Sequence, residues 1–222
     1  KVAGSKSHIL LFRGKNSELV SVEYNANKKK YQRWSKRSAN SQILLDSDTE
    51  TATIDIDANK RMWLAFDTLD EIKVIWSDPP YCKWSAPITI ASGISKDDIS
   101  VITALPMDDI PANNIAVMWS NQNSKRFGFR VHKTGDNPTQ WYEDEVPAAQ
   151  SAKDNIGKGM ADDHLNVCVS SDGTLYTIVK TSYDATGYAK IALLIRRPNG
   201  VWDDLYEIDE NGTRGIVCLD EN

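Results

Sequence analysis

Asp162, Asp163 and His164 stand side by side in "ADDHLN", and Lys180 closes the apolar run "LYTIVK" a short way downstream. Carboxylates beside an imidazole are the raw material of general acid–base chemistry. The same kinds of residue recur earlier, as Asp97 and Asp98 in "KDDIS" and Glu50 in "TETAT", and a cation, Arg214, follows in "GTRGI". Two carboxylates facing each other across a glycosidic bond would act as acid and base, their separation deciding retention or inversion. His164 with Lys180 or Tyr183 would instead suit proton abstraction, as in a polysaccharide lyase. Arg214 and Arg13 have the planar fork that holds a sugar carboxylate. Asp98, Asp163 and His164 are therefore the candidate catalytic residues. The candidate ligand set is Glu50, Asp97, Asp162, Asp163, His164, Lys180, Arg214, Arg13 and Trp119. A competing role weighs on each carboxylate: an Asp before a strand caps a turn by accepting backbone N–H groups. One member of each Asp-Asp pair is expected to do so.

Residues so far apart meet only if a scaffold repeats. Tryptophan marks that repeat, at Trp34, Trp84, Trp141 and Trp202, with intervals of 50, 57 and 61 residues. Between them the same three kinds of text recur. "HILLFRG", "RMWLAFDT", "NIAVMWSN" and "LYTIVKTS" are each followed by "ELVSVEYN", "EIKVIWSD", "RFGFRVHK" and "KIALLIRR". A further kind precedes them in "TATIDID", "ISVITAL" and "LNVCVSS", and closes the chain in "GIVCLDE". Alternation such as Ile72/Val74/Trp76 and Phe127/Phe129/Val131 has the period of strands. Turn text such as "DANK", "SSDG", "TGDNP" and "RPNG" separates them, and no stretch has a helical period.

Repeats of about 50 residues built from four short antiparallel strands define a β-propeller. With strands lettered A to D from the axis outward, the chain reads B-C-D, three A-B-C-D units and a final A. The fold class expected is therefore all-β, one propeller domain over residues 1–222. Either "GIVCLDE" (Gly215–Glu221) pairs with "HILLFRG" (His8–Gly14) and closes four blades, or the chain is a slice of a larger ring with open edges. In either case the loops before strand A and after strand B share one face. Glu50, Asp97, Asp98, Asp162–His164 and Arg214 lie at the first position, Arg13, Asp67, Trp119, Asn121, Gln122 and Lys180 at the second. Equivalent positions in a radial repeat converge at the axis, the default ligand site.

Composition narrows the classes. Hydrophobic residues make up 41% and charged residues 26%, as in a globular domain. The net charge of −5 speaks against a nucleic-acid partner. The basic run "NKKKYQRWSKR" (27–37) reads as a solvated hairpin end, with a polyanion patch as its alternative. No apolar run reaches the ~20 residues of a membrane span, and the first residues lack a signal-peptide pattern. Cys82, Cys168 and Cys218 form no CxxC, and the last two read as buried small hydrophobes. "DIDAN" is too short for an EF-hand and reads as a turn. No phosphate loop, zinc cluster or nucleotide motif is present, so no cofactor and no metal is expected. His8 and His132 read as ordinary strand residues.

The turns before the tryptophans carry a resemblance. "RPNGVW" (197–202), "SDPPYCKW" (77–84) and "KTGDNPTQW" (133–141) look like degenerate Asp-boxes, the BNR repeat of pattern Ser-x-Asp-x-Gly-x-x-Trp. On these turns, and on the text from Thr49 onward, the chain resembles the sialidase-like (neuraminidase-like) β-propeller superfamily. It is similar within it to bacterial modules of unassigned function. The resemblance implies a six-bladed ring, a secreted or cell-surface location, and tryptophans that pack between blades. It also implies carbohydrate binding at the central upper face. Sialidases of the family surround the sugar carboxylate with three arginines and a Tyr–Glu pair, whereas here Arg214 alone is placed at a blade entrance. Three functions stay open: a glycan-binding module, a glycoside hydrolase or polysaccharide lyase, and a protein-interaction scaffold.

Overall fold

The computed structural model describes residues 5–107, 110–145 and 156–220, with only the backbone of 110–113. Those residues form strands and turns with no helix, in four antiparallel sheets. The first sheet holds β1 (Lys6–Leu11), β2 (Asn16–Asn25), β3 (Lys30–Arg33) and β4 (Ser41–Leu44). The second runs in order β5 (Ala52–Ile56), β6 (Met62–Asp67), β7 (Glu71–Ser77) and β8 (Ile88–Ser92). The third holds β9 (Ser100–Met107), β10 (Ile110–Asn121) and β11 (Arg126–His132). The fourth runs β12 (Leu165–Val169), β13 (Leu175–Lys180), β14 (Ile191–Arg196) and β15 (Tyr206–Asp209). The A-B-C-D order of the repeat is thus the strand order of the second and fourth sheets.

Two outer strands depart from the regular pattern. In the first sheet β3 and β4 share one edge of β2, β3 pairing Val22–Asn25 and β4 pairing Asn16–Leu19. In the third, 141–145 makes only two backbone bonds to β11, from the amides of Tyr142 and Glu145. Between them the Asp144 carboxylate takes the Phe129 N–H at 2.9 Å, a side chain standing where a strand would place a carbonyl. That sheet therefore has three laddered strands, not four.

Each sheet lays one face on the next. Leu19, Trp34 and Ile43 meet Met62, Leu64 and Phe66 between the first and second sheets. Trp63, Ile72 and Val74 meet Ile102, Val117 and Trp119 between the second and third. Phe127, Phe129 and Val131 meet Leu175, Val179 and Leu194 between the third and fourth. The repeat tryptophans seal these joints: Trp141 stands edge-on to Trp63 at 5.8 Å and Trp202 edge-on to Phe129 at 5.4 Å. Trp119 is buried, and its indole fills the space where a side chain at Gly128 would begin. Neighbouring inner strands are tied by side chains. Thr53 and Asp55 of β5 accept the Ile102 and Ala104 amides of β9, at 2.9 and 2.7 Å. "DIDAN" ends β5 and turns at its last three residues, with Asp57 accepting the Arg61 amide.

The two ends do not pair among the described residues. Among the described residues Gly215–Asp220 forms no ladder with β1 (Glu221 lies outside them). It lies instead over the free face of the fourth sheet, Gly215 against Ile178 and the Val217 N–H donating to Asn166 Oδ1 at 3.2 Å. That contact repeats the Ile102–Thr53 tie, so "GIVCLDE" sits where the inner strand of a next sheet would lie. The free faces at both ends carry exposed apolar side chains: Ile9, Tyr31 and Leu44 on the first sheet, Tyr206, Ile208 and Ile216 at the fourth. Cys218 is exposed and Cys168 half-buried, correcting the expectation of two buried thiols.

Candidate functional site

The loops before β5, β9 and β12 and after β6, β10 and β13 face each other sheet by sheet, and in each pair an aspartate is the clamp. Asp67, at the end of β6, accepts the Glu50 and Thr51 amides at 2.7 and 2.8 Å and the Thr51 hydroxyl at 2.6 Å. Asp98, before β9, accepts the Ser95 amide at 2.6 Å and the Gln122 amide at 3.0 Å. Both are fully buried. Burial raises the Asp67 carboxyl, and the three hydrogen bonds oppose it. Asp98 is therefore a loop clamp with no access to a substrate, which corrects its place among the catalytic candidates. The turn-capping role weighed for one member of each Asp-Asp pair belongs to it. Its neighbour Asp97 is exposed, with Lys96 at 3.9 Å. Glu50 is exposed, and Arg13 stands 3.9 Å from Glu18.

In the fourth sheet the corresponding loop is richer. Met160 and Ala161 are buried in the core between the sheets and anchor it. Gly159 precedes them at φ +96°, with the Lys125 side chain against the side a Cβ would occupy, so a glycine is required there. Asp162 then accepts the Ser182 hydroxyl at 3.1 Å and the Lys180 ammonium at 3.0 Å through the same oxygen. Its other oxygen lies 3.0 Å from His164 Nδ1, and an oxygen of Asp163 lies 2.5 Å from that nitrogen. On the far side of the ring the Arg214 Nε–H donates to His164 Nε2 at 2.6 Å.

A guanidinium can only donate, so Nε2 is the acceptor and the imidazole proton sits on Nδ1, between the two carboxylates. Arg214 is thereby linked to the two carboxyl groups through the imidazole. Burial would raise the Asp162 carboxyl, but hydrogen bonds from Asp163, His164 and Lys180, with the Lys180 charge, hold it at about 2. Burial raises Asp163, as do its hydrogen bond and charge repulsion with Asp162, against the pull of His164. Two carboxyl groups and two cationic side chains thus surround one imidazole ring. Asp162, Asp163 and His164 offer three atoms close enough to hold a cation. A cation bound by those atoms would take the place of the Nδ1 proton that now lies between the two carboxyl groups.

Of the candidate residues, Asp162, Asp163, His164, Lys180 and Arg214 form one bonded cluster. Among the described residues Glu50, Asp97 and Arg13 make no hydrogen bond or ion pair to it, and Trp119 is core. The clefts of about 330 to 570 Å³ on the described surface are lined by other residues, Trp119 touching one of them.

The solved structures similar to this chain share its architecture. The fucose-specific lectin from Aleuria aurantia aligns with 94% of this chain and 57% of its own, at 10% identity and a TM-score of 0.50. AofleA from Arthrobotrys oligospora aligns with 94% of this chain and 58% of its own, at 15% identity and a TM-score of 0.53. The NanB sialidase from Streptococcus pneumoniae aligns less closely, at a TM-score of 0.49 and 14% identity over 87% of this chain and 29% of its own. No protein-family model and no curated protein matches the sequence. Together with the sheet order, the first two likenesses define the class: an all-β protein of β-propeller architecture. The chain spans less than two thirds of the length of those structures.

Proposed function

We propose that residues 1–222 form one propeller domain that binds carbohydrate at the mouth of the fourth sheet without cleaving it. The observation that carries this reading is the placement of Asp162 and Asp163 beside the same imidazole nitrogen, at 3.0 and 2.5 Å. Glycoside hydrolysis needs two carboxyls on either side of the scissile bond, about 5 Å apart for retention and ~6.5–9.5 Å for inversion. Side by side on one ring, these two leave no room for a sugar between them. Lyase chemistry needs a free base, and His164 Nε2 is engaged by Arg214. What the cluster presents instead is the half-exposed Asp163 carboxylate as acceptor and the exposed Arg214 guanidinium as donor. That mixed array suits sugar hydroxyls, and the named ligand of the Aleuria lectin is a sugar.

The same reading takes the four sheets as an arc of a larger ring. The Val217–Asn166 contact, which repeats the tie between inner strands, supports it. A glycan array probed with the wild type and with Asp163→Asn/His164→Ala, beside a reducing-end assay, tests the function. Binding that the double variant loses, with no new reducing ends, is expected. New reducing ends or an unsaturated product would replace this reading with the enzymatic one. An empty array would leave the interaction scaffold.

A further inference from the structure

A cleft of about 570 Å³ lies between the first and second sheets, at the end away from the mouth. Its walls are His8, Trp34 and Tyr81, and its rim carries Lys6, Lys36 and Lys60. His8 stands edge-on to both aromatic rings, at 5.6 Å from Trp34 and 4.9 Å from Tyr81. Lys36 belongs to the basic run 27–37, where a polyanion patch was the alternative to a solvated hairpin.

Charge in this cleft is out of balance. The acidic residue lining it is Asp57, buried, with one oxygen accepting the Arg61 amide and the other the Trp63 indole N–H. Lys36 and Lys60 have no carboxylate partner among the described residues. Behind the wall, Arg37 is almost fully buried, gives one N–H to Ser21 Oγ at 2.5 Å and another to the Leu19 carbonyl at 2.7 Å, and leaves its Nε without a partner. Ser21 Oγ, which receives from Arg37, also lies 2.8 Å from His8 Nδ1 and so links the imidazole to the buried guanidinium. A protein of net charge −5 has thus gathered three lysines and an imidazole around one aromatic-walled space, with a buried arginine behind it. Such an array holds an oxyanion, and its volume falls within the range of small-ligand sites.

We propose that this cleft is a second binding site, taking a sugar that carries a carboxylate or sulfate group. The lysines are point charges suited to either anion, and the aromatic walls take the ring. The sugar component rests on the carbohydrate reading above; the anionic component rests on the cleft alone. Glucuronate, glucose 6-sulfate, glucose and inorganic sulfate, each titrated to ~20 mM to reach millimolar affinities, separate the two while the His8 and Trp34 side-chain NMR signals are followed. Both acidic sugars, or one of them, should shift these signals while glucose does not. Lys36→Ala with Lys60→Asn should weaken that binding about five- to tenfold; asparagine is chosen because Lys60 sits at φ +67°. Asp163→Asn/His164→Ala should leave it intact, which keeps the test independent of the mouth. A silent titration, an equal response to glucose, or equal binding by the lysine variant would overturn the assignment. Inorganic sulfate binding as tightly as glucose 6-sulfate would overturn its sugar component.

Discussion

Arg196 and Glu145 meet through two parallel hydrogen bonds, 2.6 Å from Nε and 2.8 Å from Nη2. Arg196 is 1% exposed, and its guanidinium lies 5.2 Å from the centre of the Phe129 ring. Glu145 also accepts the Trp202 indole N–H at 3.1 Å. One carboxylate thus fastens the third sheet to the fourth and orients the tryptophan of the last turn. Removing it strands a buried cation. Glu145→Ala should cost roughly 3 kcal/mol in chemical denaturation; a loss under ~0.5 kcal/mol would show that the pair contributes little.

The clamp aspartates separate from their neighbours by the same measurement. Asp98→Asn turns an acceptor of several N–H groups into a group that meets them with its own donors, at a cost of about 2 kcal/mol. Asp97→Asn, one residue away and exposed, should stay within ~0.5 kcal/mol. Equal effects would mean that Asp98 does not hold its loop.

Acid should reveal the asymmetry of the Asp162–Asp163 pair. The folded Asp162 carboxyl sits near 2, below its ordinary 3.8, so its contribution is present above pH 3.8 and is lost as pH falls toward 2. Asp163 is raised and costs stability wherever it is ionised, a cost that disappears as it protonates. At neutral pH Asp162→Asn should lower the melting temperature and Asp163→Asn should leave it unchanged or raise it. Opposite signs in the melts would reverse the roles given to the two.

His8 supplies a second pH dependence. Burial, then the charges of Arg37 and Lys6, lower its pKa from 6.5. It faces Ser21 and Arg37 on its own sheet and Tyr81, Asp57 and Lys60 from the second, with Lys6 and Lys36 on the rim. Folded His8 is neutral at pH 7 and gains a proton as pH falls through its lowered pKa, while the unfolded chain takes that proton at 6.5. Stability from this group is therefore lost below pH 6.5, and binding of glucuronate at the cleft should tighten over the same fall. A His8→Gln variant should show neither trend; if it follows the wild-type pH profile, the titrating group lies elsewhere.

The strand order was legible because alternation is local and the turns between strands are short. Asp162, Asp163 and His164 were legible as a group for a similar reason, being consecutive, and the repeat register added Lys180 and Arg214. The Glu145–Arg196 pair was not, since its members lie 51 residues apart and Glu145 stands outside any alternating run. "GIVCLDE" alternates like a strand, and both pairing with β1 and an open edge were left possible for it, because alternation reports only two unlike faces. Val217 finds its partner in the Asn166 side chain rather than in a ladder. Asp98 looked like a site residue because a clamp and a catalyst have the same composition before a strand. Burial alone tells them apart.

Exposed apolar surface on the two outermost sheets carries its own expectation. Ile9 and Leu44 at one end, and Ile208 and Ile216 at the other, form the kind of surface that binds a hydrophobic dye or another molecule. Leu44→Glu with Ile208→Lys should reduce dye binding and concentration-dependent association of this chain in light scattering. Unchanged values would place the sticky surface elsewhere.

The indole of Trp119 resting on Gly128 has a consequence for descent rather than for stability. No side chain fits at 128 while a tryptophan stands at 119, and a smaller residue at 119 leaves a hole that glycine cannot fill. The two positions are therefore locked to each other as inherited characters. A lineage can change them only through a weakened intermediate or by a double step, so among descendants of this chain they should vary together or not at all.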